Sequence, residues 1–208
     1  MLRFLTFLSI LFSLQVSAHP VIYKGGWVIS SFNMDNMNDQ QLMYSFTSHF
    51  ATGLNSYRFT KDEQDTDLLF AKLNYLAWRY NGDKSQANLY LHSGVGFSDQ
   101  QSISQGALMY GAEMDWETRE LFVGFKHWQY YAPHQFDMPV SMARVGFSPF
   151  TAPFDSLQSW FMVQAMYAPL ASETISLTPM LRFFYKNVLW EMGASSKGGW
   201  MLNLMVHY

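Results

Sequence analysis

What this chain lacks sets the first limit on its chemistry. It has no cysteine, hence no thiolate for a disulfide, a zinc site or a lipid anchor. All its sulfur lies in fourteen methionines. A thioether is a soft, neutral donor suited to Cu(I) and, by the same softness, to Ag(I); it is also a flexible filler of irregular interiors. Met162, Met166, Met180, Met201 and Met205 recur in the last quarter of the sequence, and His92 could assist them as a ligand. Met34, Met37 and Met43 cluster nearer the start. Packing and soft-metal handling are both open readings, and no cofactor other than such a metal is expected.

The second set is ionic. Arg58, Lys72, Glu113, Asp115, Lys126, Arg144, Arg182 and Glu191 each sit in an alternating stretch on the parity opposite to large apolar residues. If that parity faces an interior, these charges must pair there, because a buried ion without a partner is costly. The same charges could line a path for a small hydrophilic solute. Gly94-Val95-Gly96 lacks the third glycine and the helix of a nucleotide loop and reads as strand glycine. The mild negative charge of -3 gives no basis for nucleic-acid binding.

The elements that would position these groups are strands. Alternation is clearest at the C-terminus, where Trp200, Leu202, Leu204, Val206 and Tyr208 face one way and Met201, Asn203, Met205 and His207 the other. Reading backwards gives about twelve strands, with ten as the lower bound. Two hairpins fix their own register. Pairing Tyr185 with Val188 sets Arg182 opposite Glu191, and pairing Ser195 with Gly199 sets Glu191 opposite Asn203. Loops are expected at 33–41, 61–67, 98–105 and 132–138. Aromatics near the strand ends (Trp27, Trp78, Tyr80, Trp116, Trp128, Tyr130, Tyr131, Trp200 and Tyr208) suit an interfacial girdle.

Residues 1–18 read as a secretory signal peptide, with Arg3, an apolar run from Phe4 to Leu14 and the small-residue site Val16-Ser17-Ala18. Cleavage would leave His19 first, its amine and imidazole together able to chelate copper. Residues 19–26 then form a short periplasmic segment and 27–208 the barrel. Charged residues make up 14% of the chain and aromatics 18%, against a usual charged share of about 25%, as fits an outer wall facing lipid.

Signal peptide, alternating strands and an aromatic last strand together resemble bacterial outer-membrane β-barrel proteins. The resemblance implies an all-β, closed antiparallel transmembrane barrel in the outer membrane of a Gram-negative cell. It also implies the lipid bilayer as surroundings and the outer-membrane assembly machinery as the reader of Trp200, Leu202, Leu204, Val206 and Tyr208. A monomer is expected. The His-x-Ser element of outer-membrane lipid-processing enzymes is missing: His127 precedes Trp128 and Gln129, and His92 precedes Ser93 and Gly94. His134 and Asp137 near a rim supply no such pair, so no enzymatic activity is expected. The function that follows is a narrow, porin-like channel or binding barrel for small solutes. The alternatives are a soft-metal barrel with a methionine-lined lumen and a structural or adhesive barrel without transport.

Overall fold

A computed structural model describes residues 19–34, 36–153 and 155–208; the signal-peptide reading of residues 1–18 lies outside them. The described chain is all strand and turn. Twelve strands follow in order: β1 Trp27–Met34, β2 Met37–Ser45, β3 Phe50–Lys61, β4 Gln64–Asn81, β5 Ser85–Gln100, β6 Ile103–Thr118, β7 Leu121–Ala132, β8 Phe136–Phe147, β9 Gln158–Ala168, β10 Ser172–Tyr185, β11 Val188–Ala194 and β12 Trp200–His207. Each pairs antiparallel with its sequence neighbours, and β1 closes the sheet against β12. Closure satisfies every strand edge, which an apolar surrounding requires.

Alternation decides which residues go where. Leu54, Leu69, Leu73, Leu91, Val95, Leu108, Val123, Phe125, Val145, Phe161, Val163, Leu177, Leu202 and Leu204 all stand exposed on the outer wall, the face a transmembrane barrel gives to lipid. Trp27, Tyr44, Trp78, Tyr80, Trp116, Tyr185 and Tyr208 mark the end of the barrel where the chain starts and stops, here called the terminal end. An irregularity between Leu76 and Trp78 inserts Ala77 into β4, so that Tyr75 and Trp78 both remain on the outer wall. Both hairpins deduced from parity form: Tyr185 pairs with Val188 and Arg182 with Glu191, while Ser195 N–H donates to Gly199 O and Glu191 pairs with Asn203. Gly198 takes φ +94° in that turn, a conformation cheap only for glycine.

The loops differ from expectation. Where 33–41, 61–67, 98–105 and 132–138 were expected, strands run on to Met34 and resume at Met37 after a turn residue at Asn36, and elsewhere meet at turns 62–63, 101–102 and 133–135. Non-glycine residues with positive φ close these turns, among them Asn36, Asp62, Glu63, Gln101, Ser102 and His134. The polar residues that suggested loops belong to strands of up to 18 residues, longer than the roughly 9–11 needed to cross a bilayer. Past the lipid, an outward side chain meets water and need not be apolar.

That reversal corrects Arg58. It lies on the outer wall, its side chain 52% exposed, paired with Asp67 at 2.6 Å. The inward residues of β3 there are Tyr57 and Phe59, both buried. Trp128 and Tyr130 are corrected the opposite way: both are buried inside the barrel, not set in a girdle.

Candidate functional site

The interior is stratified along the barrel axis. Its middle holds the ionic groups. Glu191, fully buried on β11, is a hub: its Oε1 accepts from Arg182 Nε at 2.7 Å and Arg144 Nη1 at 3.2 Å, and its Oε2 accepts from Asn203 Nδ2 at 2.8 Å. Arg144 Nε also donates to Gln164 Oε1 at 2.8 Å. Two guanidiniums thus meet one carboxylate, leaving this side of the lumen locally positive. A second centre joins β4 to β7. Lys126 Nζ lies 2.9 Å from Glu113 Oε1, and His92 Nε2 lies 3.6 Å from Glu113 Oε2. His92 Nδ1 is 2.7 Å from Asn74 Oδ1. Lys72 reaches Gln41 Oε1 at 3.4 Å, and Gln41 in turn donates to Asp39 at 2.8 Å. Asp39 also accepts from Asn55 Nδ2 at 2.7 Å.

The distal half, toward the ends of β1, β3, β5 and β7, is apolar. Tyr57, Phe59, Phe70 and Tyr130 pack ring against ring, with Tyr57 and Tyr130 edge to face at 5.2 Å. Met34, Met37, Met109, Met142, Met162, Met166, Met180 and Met201 belong to the same buried cluster. Met205 does not: it packs against a separate cluster at the terminal end. His92 lies in the ionic layer rather than among the methionines. Leu170 and Ala171 fold in over the distal mouth, and Lys61 on β3 bridges it to Glu173 on β10 at 2.7 Å.

The terminal end is asymmetric. Over β2 to β6 the segment preceding β1 turns inward. Val21 is buried against Val28, Met43, Ala51, Leu76 and Tyr90, Pro20 O accepts from Asn74 Nδ2 at 3.2 Å, and Ile22 N–H donates to Ser45 Oγ at 3.2 Å. His19 lies 3.8 Å from Asp115 and 3.7 Å from Glu117. Burial, aided by nearby Arg79, holds its imidazole pKa down at about 3. With β7 to β10 the described residues of that segment make no hydrogen bond or ion pair, and the connection between β8 and β9 lies at this end. The inward residues nearest that end, Phe122, Gly124, Trp160 and Phe184, are half-exposed, Lys126 and Arg182 next to them remain partly so, and Trp128, Met162 and Met180 beyond are buried. This vestibule ends at two cations: the Lys126 side chain is 27% exposed and that of Arg182 12%. Arg182 lies over the Phe122 ring at 4.8 Å and Lys126 near the Trp128 ring at 5.8 Å. A solvent-accessible recess ending on two donors can hold a solute that brings acceptors.

Of the ionic residues singled out in the sequence, Lys72, Glu113, Asp115, Lys126, Arg144, Arg182 and Glu191 face the lumen, and Arg58 does not. Sequence reasoning missed Asp39 and the aromatic layer. The alternations Tyr57-x-Phe59 and Trp128-x-Tyr130 were the available signal for the latter. No group of three or more His, Cys, Asp or Glu placed to hold a metal occurs among the described residues.

No protein-family model matches the chain, and no curated protein matches it. Among solved structures it is similar to the KdgM porin in complex with disordered oligogalacturonate, at 12% identity and TM-score 0.48, covering 88% of this chain and 98% of that one. It is also similar to a loop L8 deletion mutant of OmpT, an outer membrane protein of Vibrio cholerae, at 9% identity and TM-score 0.31, covering 88% and 97%.

Proposed function

We propose that this protein is an outer-membrane barrel that binds small hydrophilic solutes in a vestibule open at its terminal end. The observation carrying this reading is the partial exposure of Lys126 and Arg182 at the bottom of an otherwise buried lumen. Both present only donors, so the favoured solute carries a carboxylate or a similar acceptor group. With an even strand count both termini lie on one side of the membrane, the periplasmic side in bacterial barrels, and the vestibule then opens to the periplasm. The aromatic and methionine layer and the Lys61–Glu173 bridge stand across the distal half. The resting barrel is therefore a binding cup, and passage through it requires that layer to move.

Titration of refolded protein with succinate and with acetate, followed by tryptophan fluorescence, tests this reading. Saturable succinate binding that weakens at least tenfold in both Lys126→Met and Arg182→Met supports it. No saturable binding, or binding indifferent to both substitutions, overturns it. Planar-bilayer recordings add a second check: the reading predicts no steady openings from the resting barrel.

A further inference from the structure

From the distal cluster we infer a binding site for a soft monovalent cation, Cu(I) or Ag(I), built from thioethers and independent of the solute vestibule. The argument starts from register. Met142 on β8 pairs with Met166 on β9, and Met162 on β9 pairs with Met180 on β10. Met180 and Met201 each pair with Gly193 from either side of β11. Directly opposed residues on one face have Cβ atoms about 5 Å apart, so Met142 and Met166 adjoin on one side of the inward Arg144–Gln164 pair and Met162 and Met180 on the other, with Met201 beyond Gly193, five thioethers from four strands along one side of the inner wall.

Glycines make room for them. Met162 Sδ lies over Gly146, in the space a β-carbon there would take, and Met109 lies over Gly94 in the same way, its Sδ 3.2 Å from that position. At Gly193 it is backbone that takes the room: a β-carbon there would lie 2.6 Å from the Pro179 carbonyl oxygen and 2.8 Å from Met180 Cβ. Packing alone would be served as well by larger side chains at Gly94 and Gly146 and branched aliphatics opposite. Pairing Met with Gly instead leaves unbranched side chains free to turn their sulfurs.

The surroundings suit one kind of ion. Neutral thioethers cannot offset the desolvation of a divalent cation, whereas a soft monovalent ion needs no carboxylate. The Tyr57, Phe59, Phe70 and Tyr130 rings share the cluster and present faces that attract a cation. Beside them, the Tyr57 and Tyr130 hydroxyls adjoin each other, and the buried Asn55 Oδ1 has no hydrogen-bond partner among the described residues, which leaves its oxygen as a further acceptor for a cation. Access also exists. A cavity of about 210 Å³ at the distal end is lined by Asn36, Ala168, Ser172, Ser176 and Lys197, and Met166 forms part of its wall.

The test uses refolded protein labelled with ¹³C at its methionine methyls and titrated with Ag(I). Met114 and Met192, exposed on the lipid-facing wall, are internal controls. The inference predicts that one equivalent of Ag(I) moves the methyl signals of Met142, Met162, Met166, Met180 and Met201 and leaves the two controls in place. Met162→Leu/Met166→Leu/Met201→Leu, which keeps volume nearly constant, then weakens binding at least tenfold, while Met114→Leu/Met192→Leu binds as the wild type does. Signals that do not move, or that move only at Met114 and Met192, overturn the inference, as does unchanged affinity in the triple variant. If the triple variant does not fold, the wild-type titration and the control variant decide alone. Succinate binding is unaffected by Ag(I) in this account, so failure of one reading leaves the other standing.

Discussion

Glu191→Gln is the substitution whose consequence follows most directly from the geometry. The side chain keeps its shape and loses its charge, leaving Arg144 and Arg182 facing each other across a lumen site where Glu191 was fully buried. Removing one partner of a buried ion pair costs about 3–5 kcal/mol, and here a single carboxylate serves two guanidiniums. Arg182→Met, by contrast, leaves Glu191 bonded to Arg144 and Asn203, and loses chiefly one charge-assisted bond worth about 1.5–3 kcal/mol. In the double variant the surplus cation is gone, so the combined cost falls short of the sum by about 1–3 kcal/mol. Equilibrium urea unfolding in lipid vesicles, followed by tryptophan fluorescence, measures all three. A cost below about 1 kcal/mol for Glu191→Gln, or strict additivity in the cycle, would refute the hub.

Three further outcomes are expected. Arg58→Ala, which removes a surface pair, leaves the unfolding midpoint unchanged within error, where a lumenal arginine would shift it clearly. Gly146→Ala places a methyl where Met162 Sδ lies and destabilises by about 1–3 kcal/mol; Met162→Ala in the same chain relieves most of that loss. The segment preceding β1 detaches on acidification. His19 titrates near its ordinary 6.5 when free and at about 3 when inserted, so the free segment takes up a proton that the inserted one refuses. Insertion is therefore at full strength above pH 6.5 and weakens by about 1.4 kcal/mol per unit as pH falls toward 3. Asp115, Glu117, Glu113, Arg79 and His207 face the same pocket or act on it, so the His19 share is the difference from His19→Gln. A spin label on Lys24→Cys reports it as mobility gained in the wild-type background at a higher pH than in the variant.

The parts of the structure that were legible in the sequence are those where lipid imposes alternation and turn chemistry fixes register. The last three strands meet both conditions, so Arg182, Glu191 and Asn203 could be set side by side from parity alone. Arg58 could not. Its stretch of β3 lies past the lipid, where outward residues may be charged and inward ones aromatic, and polarity no longer marks the face. The expected loops failed for the same reason, since a polar run past the membrane edge looks the same as strand or as coil. The inward turn of His19 and Val21 depends on contacts with Asn74, Tyr90 and Asp115, far away in sequence, and no local pattern encodes it. The methionine patch lies between these cases: its parity was readable, but its assembly depends on which strands adjoin and on Gly94, Gly146 and Gly193 lying opposite.

Because the chain contains no cysteine, a single introduced thiol reports access without background. The most direct measurement is labelling of Lys126→Cys and Met142→Cys by a membrane-impermeant maleimide, in proteoliposomes of known orientation. A cup open only at the terminal end predicts that Lys126→Cys reacts from that side alone and Met142→Cys from neither. Labelling of Lys126→Cys from the distal side, or of neither thiol from any side, would contradict it.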